Sequence, residues 1–228
     1  MNARTTLSIA IVMIGLCSRQ PAASAAAYIF NFGSLVSGGA SAPGGSPWLT
    51  AQFTDVAPGE VQMTFTAANL TGRESVRDVY LNLNPALNPC LLVFNRISSV
   101  GSFRDPRVGA GANAFRPDHL GEFDIRIRFG CGLSSGGAFG PGEQITYLIT
   151  GIPGLNASSF DFTSAPNCRS GSFYAASQVR GIVPPRSSTG WVYPAQGLVP
   201  VPEPGAPVLF ALALIFTGVA RRWRGNSN

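Results

Sequence analysis

The sequence predicts an all-β fold: an antiparallel β-sandwich or jelly-roll-like domain, followed by one C-terminal transmembrane helix. Glycine and proline, the residues of turns, number 27 and 18 in 228 residues. Between the two terminal segments, short runs of alternating apolar and polar residues are separated by turn residues, and no ten-residue stretch keeps a helical period. The one long apolar run, residues 206–220, carries no charge and lies near the C-terminus.

Residues 1–27 have the pattern of a signal peptide. Arg4 supplies the positive end, residues 7–16 form an apolar stretch, and Ala23-Ser24-Ala25 supplies small residues for cleavage. The apolar stretch is too short to span a bilayer, so we expect cleavage near Ala25 or Ala27. The segment indicates export.

Residues 28–199 are expected to form one β-sandwich ectodomain that includes a linker. Turns are predicted at Pro58-Gly59 and Pro141-Gly142, where proline presets φ and glycine permits positive φ. A flexible linker is predicted over residues 34–46, and residues 98–115 show no strand pattern. The predicted strands cover residues 28–32, 48–56, 61–66, 76–83, 91–97, 123–129, 144–150, 159–163, 173–182 and 190–193.

The charge distribution offers no evidence for a nucleic-acid surface. The formal net charge is +5, but residues 28–199 hold eleven arginines against ten acidic residues. Most of the excess therefore lies in the tails and reflects topology, so we expect no nucleic-acid partner.

Residues 200–228 combine three features in order: Val201-Pro202-Glu203-Pro204, the apolar run, and a basic end. A helix over the run and the two residues before it is about 25 Å long, at the short limit for crossing a bilayer. The basic end consists of Arg221, Arg222 and Arg224. Arginines at this position stay on the cytoplasmic side, which predicts an inner-membrane single-pass precursor with the domain outside.

This ordered triple resembles the PEP-CTERM sorting signal. The resemblance implies a Gram-negative host that makes extracellular polysaccharide, and an exosortase-like membrane protease that cuts near Pro202-Glu203-Pro204. Residues 48–191 also resemble uncharacterised ectodomains that carry this signal. The implied protein is an exported, non-enzymatic component of the cell surface or extracellular matrix, whose partners are the protease, the membrane and extracellular polysaccharide. A plain membrane anchor remains the other interpretation of the tail.

The ectodomain shows no catalytic constellation, so we expect neither an enzyme nor a cofactor. His119 is the only histidine, which argues against a histidine zinc site and a Ser-His-Asp triad. Asp118, Glu122 and Asp124 are weak candidates for a calcium site. They also support the alternative hypothesis of a carbohydrate-active or carbohydrate-binding sandwich, because a glycosidase needs two carboxyls about 5–10 Å apart.

The exported domain contains three cysteines, Cys90, Cys131 and Cys168. Export favours a disulfide, and three cysteines leave one unpaired. Cys90–Cys131 is the favoured pair, since both residues flank strand ends. The pairs Cys131–Cys168 and Cys90–Cys168 stay open.

Overall fold

The structure is a computed structural model that describes residues 26–37, 46–117, 120–130, 137–166, 171–182 and 188–201. Eleven strands lie in these ranges, with two short 3-10 helices at Pro89–Leu91 and Ala157–Phe160. The strands are β1 (Ala27–Ser37), β2 (Leu49–Ala57), β3 (Glu60–Thr66), β4 (Ser75–Leu81), β5 (Val93–Val100), β6 (Arg107–Phe115), β7 (Phe123–Arg128), β8 (Gln144–Thr150), β9 (Ala175–Ile182), β10 (Ser188–Pro194) and β11 (Val199–Pro200).

All eleven strands belong to one hydrogen-bonded sheet. Its order is β5-β8-β3-β2-β1-β10-β9-β4-β7-β6, with β11 beside β1, and every strand pair is antiparallel. The predicted all-β antiparallel class is therefore confirmed. The strands join into a single path rather than two separate sheets.

Strand β1 joins the two halves of the sheet, because it pairs with one strand of each half. Its residues Ala27 to Phe32 pair with β2, and Phe32 to Ser37 continue along β10. Register shifts lie between Phe32 and Ser34 and between Leu35 and Ser37, and such bulges bend a strand and increase its twist. The first four residues of the predicted linker, 34–37, are thus part of β1; residues 38–45 lie outside the described ranges.

The two halves of the sheet face each other across one aromatic core. Phe65 on β3 stacks on Phe129 after β7 at 6.0 Å between ring centroids, and Phe53 on β2 stacks on Phe160 at 4.7 Å. Full burial of such a side chain contributes about 1.5–3 kcal/mol to folding. The predicted alternation in β7 is confirmed, because Phe123, Ile125, Ile127 and Phe129 are all buried.

Most predicted strands exist, and the Pro58-Gly59 hairpin and Pro141-Gly142 turn occur where predicted. The strand predicted over residues 159–163 is wrong. Asn156 caps the 3-10 helix there: its side chain accepts from the Ser159 N–H, while the Ser159 hydroxyl accepts from the Asn156 N–H. This local capping outweighs the apolar pattern.

Strand β6 is the element that the sequence pattern missed. Its sequence, RVGAGANAF, is rich in glycine and alanine and has Val108 as its single β-branched residue, whereas strands are usually rich in such residues. The strand forms because it pairs with β7, and a Cβ on Gly109 would stand 2.9 Å from the ring of Phe115. Glycine thus lets the end of the strand fold back over its middle, where Asn113 adopts a positive φ of 50°.

Candidate functional site

Two of the three carboxylates that the sequence analysis names as candidate site residues contact neighbouring groups in the structure. Glu122 pairs with Arg116 at 2.8 Å, and Asp124 accepts hydrogen bonds from the backbone N–H groups of Leu83 and Asn113 at 2.9 and 2.8 Å. Asp118 lies outside the described residues. Within those residues, no three His, Cys, Asp or Glu side chains lie close enough to hold a metal ion. The calcium and glycosidase hypotheses for this trio stay predictions.

The cysteine and histidine predictions fall largely outside the described ranges. Cys90 lies exposed on the first 3-10 helix. Cys131, Cys168 and His119 are not among the described residues. The pairing of Cys90 with Cys131 stays a prediction.

The C-terminal motif begins where the described domain ends. The N–H of Val201 donates to the carbonyl of Ala27 at 2.8 Å, and β11 pairs with β1 at Tyr28 and Ile29. Residues 202–228, which include Pro202, Glu203, Pro204, Arg221, Arg222 and Arg224, lie outside the described ranges. In the part of the chain that the structure describes, no helix is long and apolar enough to cross a membrane.

One cleft lies where three segments meet at one end of the sheet. One segment is residues 72–75, which lead into β4; another contains Ser102, just after β5; the third is the turn 137–143 before β8. The cleft has a volume of about 680 Å³. The residues around it are mostly small or polar: Gly72, Arg73, Glu74, Ser75, Ser102, Gly137, Ala138, Gly140, Pro141 and Glu143.

Glu143 holds two of these segments together. One carboxylate oxygen accepts from the Ser102 N–H at 2.8 Å, and the other accepts from the Gly140 N–H at 2.7 Å. Hydrogen bonds to an ionised acceptor are stronger than neutral ones, so this side chain stabilises the wall of the cleft. With both oxygens engaged, Glu143 has a structural role.

Glu74 is the carboxylate in the cleft with an uncommitted oxygen. The residue is only 5% exposed, and its Oε2 accepts from the Gly72 N–H at 2.7 Å. Its Oε1 accepts no hydrogen bond from the described residues. A carboxylate oxygen accepts more than one hydrogen bond, so Oε1 is free to accept from a ligand hydroxyl in the cleft.

A second feature is an arginine-rich outer surface, here called the arginine face. Across the sheet, Arg107 on β6 lies opposite Arg128 on β7, and Arg128 lies opposite Asp78 on β4. The loop after β5 adds Arg104 and Asp105. The face comprises Arg77, Arg96, Arg104, Arg107, Arg126 and Arg128, against Asp78 and Asp105.

Both aspartates of the arginine face are already paired. Asp78, whose side chain is 3% exposed, accepts from Arg126 Nε at 2.8 Å and lies 3.5 Å from Arg77 Nε. Asp105 forms an ion pair with Arg96. Arg104, Arg107 and Arg128 make no ion pair with any residue that the structure describes.

Burial and charge shape the ionisation of the groups around Asp78. Burial, followed by the negative charge of Asp78, raises the pKa of Tyr80. Burial, the largest single effect, lowers the pKa of Arg126, but the hydrogen bond to Asp78 and the negative charges of Tyr80 and Asp78 together outweigh it and raise this pKa. The Arg126 guanidinium also lies 5.7 Å from the centre of the Tyr80 ring. These groups form a fixed array of charges.

Three large aromatic side chains, of a kind that can stack on sugar rings, are buried in the domain. Trp48, Tyr80 and Trp191 are 1%, 6% and 9% exposed. Tyr80 and Trp191 pack together at 5.8 Å in a small second cluster with Phe123. These three rings therefore pack the interior and do not form a sugar-stacking surface.

Neither the cleft nor the arginine face was predicted as a site. The sequence signal for the face was partial, because Arg126 and Arg128 alternate along β7 on a polar side while Arg104 and Arg107 lie in a segment without a strand pattern. For the cleft there was no signal, since Glu74 and Glu143 come from distant segments. Comparisons with protein-family models, curated proteins and solved structures find no match to this chain.

Proposed function

We propose that the chain is an exported, non-catalytic protein of the cell surface or extracellular matrix. In this proposal the tail is a PEP-CTERM-like sorting signal with a short membrane helix, and the domain before it is a sandwich-like ectodomain. An exosortase-like protease cuts near Pro202-Glu203-Pro204 and releases the domain from the membrane.

The observation that carries the proposal is the pairing of the two ends of the domain. Ala26 follows the predicted cleavage motif directly, and its carbonyl accepts from the Asp55 N–H at 3.0 Å. Val201, just before Pro202, donates to Ala27. The described strands therefore all lie between the two predicted export motifs, and removal of both motifs leaves these strands whole.

A test follows the tail in a strain that has the sorting protease. We expect the parent protein to be found without its tail at the cell surface or in the matrix. Glu203→Ala and Pro202→Ala variants are expected to stay membrane-bound and unprocessed, because Pro202 and Pro204 hold an extended backbone for the protease.

A Glu60→Ala variant, changed in the β2–β3 hairpin, serves as a matched control and should be processed like the parent. Release of the Glu203 and Pro202 variants at the parental rate would show that the tail is a simple anchor. Full-length protein in the cytosol would exclude export.

We further propose that the cleft binds polysaccharide. Its volume is typical of small-ligand sites, which span roughly 300–1,000 Å³, and its lining offers the uncommitted Oε1 of Glu74 together with Arg73 and two serines. A carboxylate accepts hydrogen bonds from sugar hydroxyls, and a guanidinium donates hydrogen bonds to them. Because Glu143 is engaged on both oxygens, the pair lacks a second free carboxylate for hydrolysis, which favours binding over catalysis.

The binding proposal is tested on an array of neutral and acidic oligosaccharides. We expect Glu74→Gln to weaken binding of the preferred glycan by about tenfold, as loss of one charge-assisted hydrogen bond predicts. Glu60→Gln is the control with the same change of charge outside the cleft. An unchanged glycan profile for Glu74→Gln would contradict the assignment of the cleft.

A further inference from the structure

A small cavity on the arginine face is built for a negative group. It has a volume of about 240 Å³ and is lined by Arg104, Asp105, Arg107, Arg128, Phe129 and Gly130. The three arginines are exposed, whereas Asp105 is engaged by Arg96. Positive charge in this cavity is thus uncompensated by the residues that the structure describes.

The position of two of these arginines is unfavourable for the domain alone. Arg107 and Arg128 are direct partners on neighbouring antiparallel strands. Like charges directly opposite each other destabilise a sheet. The next partner along the row is Asp78, whose carboxylate is already held by Arg126 and Arg77. An anion between Arg107 and Arg128 would relieve this repulsion.

The size and surroundings of the cavity narrow the chemistry of the ligand. A volume below roughly 300 Å³ holds a charged group rather than a whole small ligand. The arginine face continues beyond the cavity to Arg126 and Arg77, across three strands that are about 4.8 Å apart. A polymer with repeated negative groups matches this extent better than a single ion.

The groups exposed at the site favour an acidic polysaccharide over a nucleic acid as its ligand. Proteins bind single-stranded nucleic acid by stacking bases on exposed aromatic rings. Phe129, the aromatic residue of the cavity, is only 2% exposed, and Tyr80 beside Arg126 is only 6% exposed. The guanidinium fork matches carboxylate, sulfate and phosphate groups alike, so it is the burial of Phe129 and Tyr80 that favours a polysaccharide over single-stranded nucleic acid.

We propose that the arginine face is a second binding site, which takes a carboxylate- or sulfate-bearing polysaccharide through Arg104, Arg107 and Arg128. The site uses other side chains than the Glu74 cleft, which it adjoins where the Arg104 N–H donates to the carbonyl of Gly137 at 3.3 Å, and it does not depend on tail processing. Its failure is therefore distinguishable from failure of the proposed function.

The test uses the full-length chain in a non-ionic detergent and compares two double variants. R107Q/R128Q removes two charges from the cavity, and R116Q/R180Q removes two arginines that line neither the cavity nor the Glu74 cleft. The tail arginines are present in the parent chain and in both double variants, so they do not affect the comparison. The probes are polygalacturonate, dextran sulfate, neutral dextran, methyl-esterified polygalacturonate and single-stranded DNA.

We expect R107Q/R128Q to bind polygalacturonate or dextran sulfate at least about tenfold more weakly than the parent chain, with a shallower salt dependence. R116Q/R180Q should change affinity less than about threefold, and the two neutral polymers should bind to none of the proteins. Which of the two acidic polymers binds more tightly distinguishes carboxylate from sulfate.

Thermal unfolding gives a readout that is independent of affinity. Without ligand, R107Q/R128Q should melt no lower than the parent chain, because like-charge repulsion is removed. The acidic polymer should raise the melting temperature of the parent chain but not of R107Q/R128Q. Equal weakening in both double variants, no binding by the parent chain at low salt, or tighter binding of DNA through the same arginines would overturn the proposal.

Discussion

At the scale of single residues, Asp78 holds the charges on the outer face of β4. Its buried carboxylate faces two arginines that are 27% and 30% exposed. Asp78→Asn should lower the free energy of unfolding by about 2 kcal/mol, less than the 3–5 kcal/mol of a fully buried pair, because both arginines keep some hydration. Urea denaturation at pH 7 measures the change.

The matched control is Asp105→Asn, which breaks an ion pair whose side chains are 43% and 70% exposed. An exposed pair contributes about 0–1 kcal/mol. Equal destabilisation by the two variants would show that burial of Asp78 is not what makes its ion pairs important.

Two buried tyrosines predict that the free energy of unfolding falls at alkaline pH. Burial raises the pKa of Tyr80 and of Tyr147 above the usual value of 10.0. The unfolded chain therefore loses these protons first, so their contribution is fully present below about pH 10 and is lost as pH rises through the pKa values of the folded state.

Stability should consequently fall by up to about 1.4 kcal/mol per pH unit for each tyrosine. The measurement is the urea midpoint between pH 9 and 12. Tyr147→Phe and Tyr80→Phe should each flatten this decline, and a decline as steep in the double variant as in the parent would contradict the prediction.

At the scale of elements, Glu143 joins the turn before β8 to the loop after β5. A glutamine at this position has one acceptor oxygen, so it can no longer accept from both Ser102 and Gly140. Glu143→Gln should cost about 1.5–3 kcal/mol, the range for one hydrogen bond to a charged group, and should speed hydrogen exchange at the two amides. Glu60→Gln, whose side chain makes no hydrogen bond or ion pair with the described residues, should change neither quantity. Unaltered exchange in Glu143→Gln would refute the linking role.

At the scale of the whole molecule, the pairing of the two ends predicts the mature N-terminus. A protein that begins at Ala26 keeps the hydrogen bonds from Asp55 to Ala26 and from Val201 to Ala27. A protein that begins at Tyr28 loses both, at about 0.5–1.5 kcal/mol each. In the proposed exported form, we therefore expect an intact mass that corresponds to a chain beginning at Ala26. Urea denaturation should give this form a higher free energy of unfolding than the form that begins at Tyr28. A mature protein that starts at Tyr28 with undiminished stability would oppose this prediction.

Much of the fold was predictable because strand alternation is a local property. β7 and β8 need only one side chain in two to be apolar, and both were found close to their observed limits. The two elements that were predicted wrongly or not at all have identifiable causes. A glycine-rich strand, β6, is held by its partner, and the capping by Asn156 replaced an expected strand with a 3-10 helix.

The sequence by itself determined the all-β class and the turns at Pro58-Gly59 and Pro141-Gly142, while the two export motifs stay predictions. Only the tertiary structure decided that β1 joins both halves of the sheet, and that Glu74 and the three cavity arginines come together in their sites. The physical reason is range. Alternation and turn chemistry act over a few residues, whereas strand order and register depend on side chains that meet across the core from distant parts of the chain.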